Sequence, residues 1–119
     1  MSRVLAGFSI LLLTVSACAS PRTDFGDGPF QVAEPRTVSE LSGQCIYVMI
    51  SRTTTALEDA LMQSCYDYTS AFAARWPTPC PRAETYLVDE FLMWSRANPA
   101  RAEDPAPDGL TAAMARLGC

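Results

Sequence analysis

Four cysteines, Cys45, Cys65, Cys80 and Cys119, follow an export leader, and that combination narrows the architectures open to this chain. Met1-Ser2-Arg3 is a short basic start, and Val4 to Val15 is almost wholly apolar, which is the pattern of a secretory leader. About twelve apolar residues are too few to span a bilayer comfortably, so no permanent transmembrane helix is expected. Outside the cytosol thiols oxidise, and the roughly 100 residues that remain make one small domain whose core alone is only moderately stabilising. Four cysteines in that setting read as two disulfides, each contributing on the order of 2–4 kcal/mol. Zinc is the rival use of cysteine, but the chain has no CxxC pair and no histidine, so the usual ligand spacings are missing.

Val15-Ser16-Ala17-Cys18 closes the leader with small residues ahead of a cysteine. It resembles a bacterial lipoprotein signal, whose peptidase admits only small side chains before the lipidated cysteine. That resemblance implies cleavage before Cys18, a palmitate-bearing lipid at Cys18, and an anchor in the outer membrane on the periplasmic side of the envelope. Ala17-Cys18-Ala19 also fits the small-x-small pattern of ordinary signal peptidase, which would release a soluble periplasmic protein from Ser20. Both cuts leave the same four cysteines. The organisation is then a signal peptide over 1–17, a lipidated N-terminus and flexible tether over 18–36, and a helical domain over 37–119. Ser20 to Pro35 carries three prolines and two glycines without periodicity, as a tether would.

Composition removes several chemistries. Without histidine there is no Ser-His-Asp, Cys-His or other histidine-based acid–base design, and without lysine no Schiff base or Ser-Lys pair. No glycine-rich phosphate loop is present. A catalyst would have to work with carboxylates alone, and the acids fall on polar faces or in turns, so neither an enzyme nor a cofactor or metal site is expected. Loss of Arg3 with the leader leaves thirteen acids against eight arginines. That balance disfavours nucleic acid and anionic lipid headgroups, and suits a basic protein surface or plain solubility.

Four helical segments follow the tether, and no run alternates well enough to be a strand. The first opens with Thr37-Val38-Ser39-Glu40, a capping-box pattern, and places Val38, Leu41, Cys45, Val48 and Met49 on one stripe. Arg52-Thr53-Thr54-Thr55 breaks it. A second box, Thr55-Ala56-Leu57-Glu58, starts the longest helix, which ends near Trp76 ahead of Pro77 and Pro79 and has Leu57, Leu61, Cys65, Tyr68 and Phe72 on its apolar face. Cys80-Pro81 begins the third, with Leu87, Val88, Phe91, Leu92 and Trp94 facing inward, and Asn98-Pro99 ends it. After an acidic loop over Ala100 to Asp104, the fourth helix is capped by Asp104, has Pro105 in its first turn, turns Leu110, Ala113, Met114 and Leu117 inward, and stops at Gly118.

These segments predict an all-α fold, a small antiparallel bundle of about four helices stapled by two disulfides. Counting cysteines leaves three pairings open. Topology selects among them. The start of the third helix lies beside the end of the fourth, so Cys80 can meet Cys119. Cys45 and Cys65 stand about symmetrically around Thr55, at comparable heights on the first two helices. Each bridge then staples one hairpin.

Five features in order carry a family resemblance: Glu40-Leu41 followed by Cys45, Cys65-x-x-Tyr68, Cys80-Pro81, Asn98-Pro99 and a closing Gly118-Cys119. The order resembles the Rap/Tai immunity proteins of type VI secretion systems, over roughly Val38 to Cys119. The resemblance implies a small exported helical inhibitor, usually dimeric, that binds a peptidoglycan amidase effector in the periplasm and occludes its active-site cleft. Two other classes stand beside it: a periplasmic helical stress chaperone and a structural envelope lipoprotein.

On the second helix the apolar stripe leaves Tyr66 on the far side, flanked by Met62 and Ala73. Exposed tyrosine and methionine on one line fit a dimer or partner surface; a scattered surface aromatic is the plain alternative. Glu103, Asp104 and Asp108 either enter a partner's cleft or cap and complement helix starts. Tyr68 reads as core with its hydroxyl at the edge, and Trp94 as core with an interface anchor as the alternative.

Overall fold

The computed structural model describes residues 31–50 and 55–119, and these form four α-helices: α1 Val38–Met49, α2 Ala56–Ala74, α3 Pro81–Ala97 and α4 Ala106–Arg116. A short 3-10 turn, Pro99–Arg101, occupies part of the expected acidic loop. No strand occurs among the described residues, where Thr37 and Pro105 make an isolated bridge. The leader, Cys18 and the start of the tether lie outside the described residues.

The first two helices begin at threonines whose hydroxyls accept a free backbone N–H, and the last two begin at prolines without a side-chain cap. Thr55 and Glu58 form the expected capping box of α2: the hydroxyl accepts from the Glu58 N–H at 3.0 Å, and the carboxylate accepts from the Thr55 N–H at 3.2 Å. At α1 only half the box forms. Thr37 accepts from the Glu40 N–H at 3.1 Å, but Glu40 takes the Arg36 N–H at 2.7 Å, one residue ahead of the N–H the box would use. The two remaining first-turn donors go to another part of the chain. The Val38 and Ser39 N–H groups donate to the carbonyls of Asp104 and Ala102, both at 2.9 Å. The connection between α3 and α4 therefore caps α1.

That arrangement corrects the role expected of Asp104. Its carbonyl serves α1, its carboxylate pairs with Arg101, and Pro105 is the N-cap residue of α4, with no side-chain cap. Pro105 fixes its own φ and needs no N–H partner, so the helix starts without a carboxylate there. At the other end, Gly118 has φ +84°. Its N–H donates to the Ala115 carbonyl and that of Cys119 to Met114, both at 3.0 Å, which is a Schellman closure.

The core is built from Val38, Leu41, Leu87, Phe91, Leu92, Trp94, Leu110, Ala113, Met114 and Leu117, with both Cys45 and Cys65 at 0% exposure. Packing is closest at Gly109, where an added Cβ would lie 2.8 Å from the Phe91 ring, 2.9 Å from Val38 and 3.1 Å from Trp94. The missing side chain lets α4 press against α1 and α3 together. Two stripe positions depart from expectation. Met49 is 49% exposed, because α1 ends there and Ile50 turns to an extended conformation; Gln44 is buried instead. Leu57 is 42% exposed, because the buried face of α2 is rotated toward Thr69, whose hydroxyl satisfies itself on the Cys65 carbonyl at 3.0 Å.

Both bridges join the pairs that topology selected. Cys45–Cys65 and Cys80–Cys119 have Cα separations of 5.0 and 6.0 Å, inside the range a disulfide spans. The first ties α1 to α2, the second ties the start of α3 to the residue closing α4. α1 also packs on α3 and α4, so it joins the two hairpins.

Candidate functional site

Around the Cys45–Cys65 bridge the α1–α2 hairpin has two unlike sides, and helix geometry explains why. Gln44 and Ser64 each precede a bridged cysteine, and they meet: the Ser64 hydroxyl donates to Gln44 Oε1 at 2.7 Å. One residue further along an α-helix turns the side chain by about 100°. Ile46 and Tyr66, each following a cysteine, therefore leave the bridge on the opposite side.

The Gln44 side is polar and covered by a strap. Gln44 Nε2 donates to the Ala33 carbonyl at 3.1 Å, and Pro35 is buried, so the last residues of the segment expected to be a tether are held against the domain. Between strap and α2 lies an open groove of about 550 Å³, reached by Glu34, Gln63, Asp67, Tyr68 and Arg75. Gln63 donates to Asp67 at 2.9 Å. Burial pushes the Tyr68 phenol above its ordinary value; the Glu34 carboxylate adds to the rise and the Arg75 guanidinium opposes it. Tyr68 thus packs against the core as expected and also lines the groove. Ser64 donates to an amide oxygen, which cannot take up its proton. No cluster able to hold a metal ion occurs among the described residues.

The other side is apolar. Tyr66 is 43% exposed, Ile46 and Met49 are also exposed, and half-buried Met62 lies one turn before Tyr66 on the same face. Of the residues expected to share a surface with Tyr66, Met62 does so. Ala73 does not: it packs against the core, because the buried face of α2 is turned toward its side of the helix. Glu103 is exposed, and Asp104 is half-buried against Arg101, in the connection that caps α1. Asp108 sits in the first turn of α4, where its charge complements the helix dipole. Trp94 is core, with the Arg101 guanidinium 5.7 Å from its ring centre.

Ile46 was the residue overlooked in the sequence. Its signal was present, since an isoleucine directly after the stripe residue Cys45 must leave the buried face. Gln44 carried no such signal, because its burial depends on a strap that helical periodicity does not describe.

Compared with protein-family models, characterised proteins and solved structures, the chain matches none. No helix among the described residues is long and apolar enough to cross a membrane.

Proposed function

We propose that the protein is an exported, non-enzymatic binding protein that docks on a folded partner through the apolar side of its α1–α2 hairpin. The observation that carries this reading is the exposure of Ile46, Met49 and Tyr66 around a buried bridge. Apolar and aromatic side chains held on a rigid support lose little conformational entropy on contact, and such residues anchor protein interfaces.

The order Glu40-Leu41, Cys45, Cys65-x-x-Tyr68, Cys80-Pro81, Asn98-Pro99 and Gly118-Cys119 supports a narrower identity. On that resemblance the protein is a type VI secretion immunity protein, and its partner is a peptidoglycan amidase effector whose cleft it occludes in the periplasm. The acidic balance of the mature chain suits a basic partner surface. The motif at Val15-Ser16-Ala17-Cys18 supports a lipid anchor at Cys18 in the outer membrane, which would hold the inhibitor where an injected hydrolase acts.

The test uses the full mature protein and a type VI secretion peptidoglycan amidase, taken from the neighbouring reading frame where that frame encodes one. Co-elution of the two on size exclusion, with loss of peptidoglycan hydrolysis, is the expected result, and Tyr66→Asp should abolish both while leaving the helical circular dichroism unchanged. A wild-type chain that neither co-elutes with the amidase nor slows it overturns the immunity reading. Full inhibition by Tyr66→Asp overturns the assigned surface.

A further inference from the structure

The two disulfides sit in opposite environments. Cys45 and Cys65 are sealed in the core at 0% exposure, whereas Cys119 is exposed and Cys80 half-buried. Cys80 is also the N-cap residue of α3, a 17-residue helix, with no side chain bonded to the free N–H groups of its first turn. The positive end of a helix dipole and a nearby guanidinium both stabilise a thiolate. Arg82, two residues after Cys80, reaches the Leu117 carbonyl at 3.4 Å and lies 5.9 Å from the Tyr86 ring centre, so a guanidinium links the segments that carry the two sulfurs. Cys119 sits at the carbonyl end of α4, where the dipole has the opposite sign and offers a thiolate no such help.

We infer that Cys80–Cys119 is an exchangeable, redox-sensitive clasp between α3 and α4, opened by a dithiol while the buried bridge stays closed. An external thiolate reaches the exposed Cys119 Sγ and forms a mixed disulfide with it. The bond between the two protein sulfurs breaks, and its electron pair leaves on Cys80 Sγ as a thiolate held at the start of α3. The second thiol of the dithiol then attacks its own sulfur in the mixed disulfide and expels Cys119 as the second thiolate. The dithiol is oxidised to a disulfide, and the protein pair is reduced by two electrons. Attack at Cys119 is favoured because Cys119 is the exposed residue of the pair and the thiolate that leaves on Cys80 is the one beside a helix start.

Opening the clasp need not unfold the domain. Leu110, Ala113, Met114 and Leu117 keep α4 in the core, and the buried bridge still joins α1 to α2. The inference rests on the bridge itself and stands apart from the function proposed above.

The experiment is timed reduction of the intact oxidised protein by dithiothreitol at neutral pH, with thiols trapped by iodoacetamide and located by peptide mass. Cys80 and Cys119 should become labelled about tenfold or more faster than Cys45 and Cys65, since a buried bridge reacts only after the core opens. The helical circular dichroism should persist at the point where only the first pair is labelled. With glutathione in place of dithiothreitol, the trapped adduct should be on Cys119. Equal labelling of both pairs, loss of helical signal with the first labelling, or a glutathione adduct on Cys80 would each overturn the proposal. Arg82→Gln should slow alkylation of the freed Cys80 at neutral pH, and an unchanged rate would remove the guanidinium from the account.

Discussion

Gly109 decides how closely three helices approach. Replacing it with alanine would raise helix propensity by about 1 kcal/mol in an exposed position. Here the new methyl meets two aromatic rings and Val38 at 2.8 to 3.1 Å, and overpacking of that kind costs about 1–3 kcal/mol. The clash should win, because Phe91 and Val38 are themselves fully enclosed and have nowhere to retreat. Gly109→Ala is therefore expected to destabilise the fold by about 1–2 kcal/mol, read as a lower urea midpoint at unchanged slope. The glycine inside α4 and the one just past its end differ in legibility. Gly118 follows the last apolar residue of a helical pattern, and its cap role can be read there; it has the positive φ that role requires. Gly109 lies inside the pattern, and nothing local tells that another helix stands over it.

The elements are held at their ends and edges by bonds from outside themselves. Thr55 and Glu58 cap α2 with residues three apart, so that start was visible in the sequence. α1 is capped by carbonyls from residues more than sixty positions away, which no local pattern could show. Gln44 plays the corresponding part at the hairpin edge, joining the strap to α1 and α2. Gln44→Leu keeps size and helix propensity but leaves the Ala33 carbonyl and the Ser64 hydroxyl without their partner. Loss of about 1–3 kcal/mol is expected, concentrated in the strap rather than in the helices. Limited trypsin digestion should show it as faster cleavage after Arg36 in the variant. Unchanged cleavage there would mean that Pro35 alone holds the strap.

At the scale of the molecule the two bridges differ in what they stabilise. By loop closure, Cys80–Cys119, with a sequence separation of 39, should contribute more than Cys45–Cys65, with 20. The difference is only about 0.6 kcal/mol, because the entropy grows with the logarithm of loop length. Removing the buried pair also leaves a void among Leu41 and its neighbours, and cavities of this kind cost more than that margin. The variant with Cys45 and Cys65 both changed to alanine should therefore melt lower than the one with Cys80 and Cys119 changed, against the order of loop lengths. Thermal unfolding of the two double variants decides it.

Local chemistry determined the number of helices, most of their boundaries and most of the apolar stripes. Periodicity and capping act within a few residues, so they can be read along the chain. The cysteine pairing followed from these, once antiparallel neighbours set which sulfurs stand at equal height. Tertiary structure alone decided the rotation of α2 that exposes Leu57 and buries Thr69, the capping of α1 by a distant loop, and the seating of the strap on Gln44. Those outcomes depend on which surfaces meet, and the free energy that selects them comes from contacts between segments far apart in the chain.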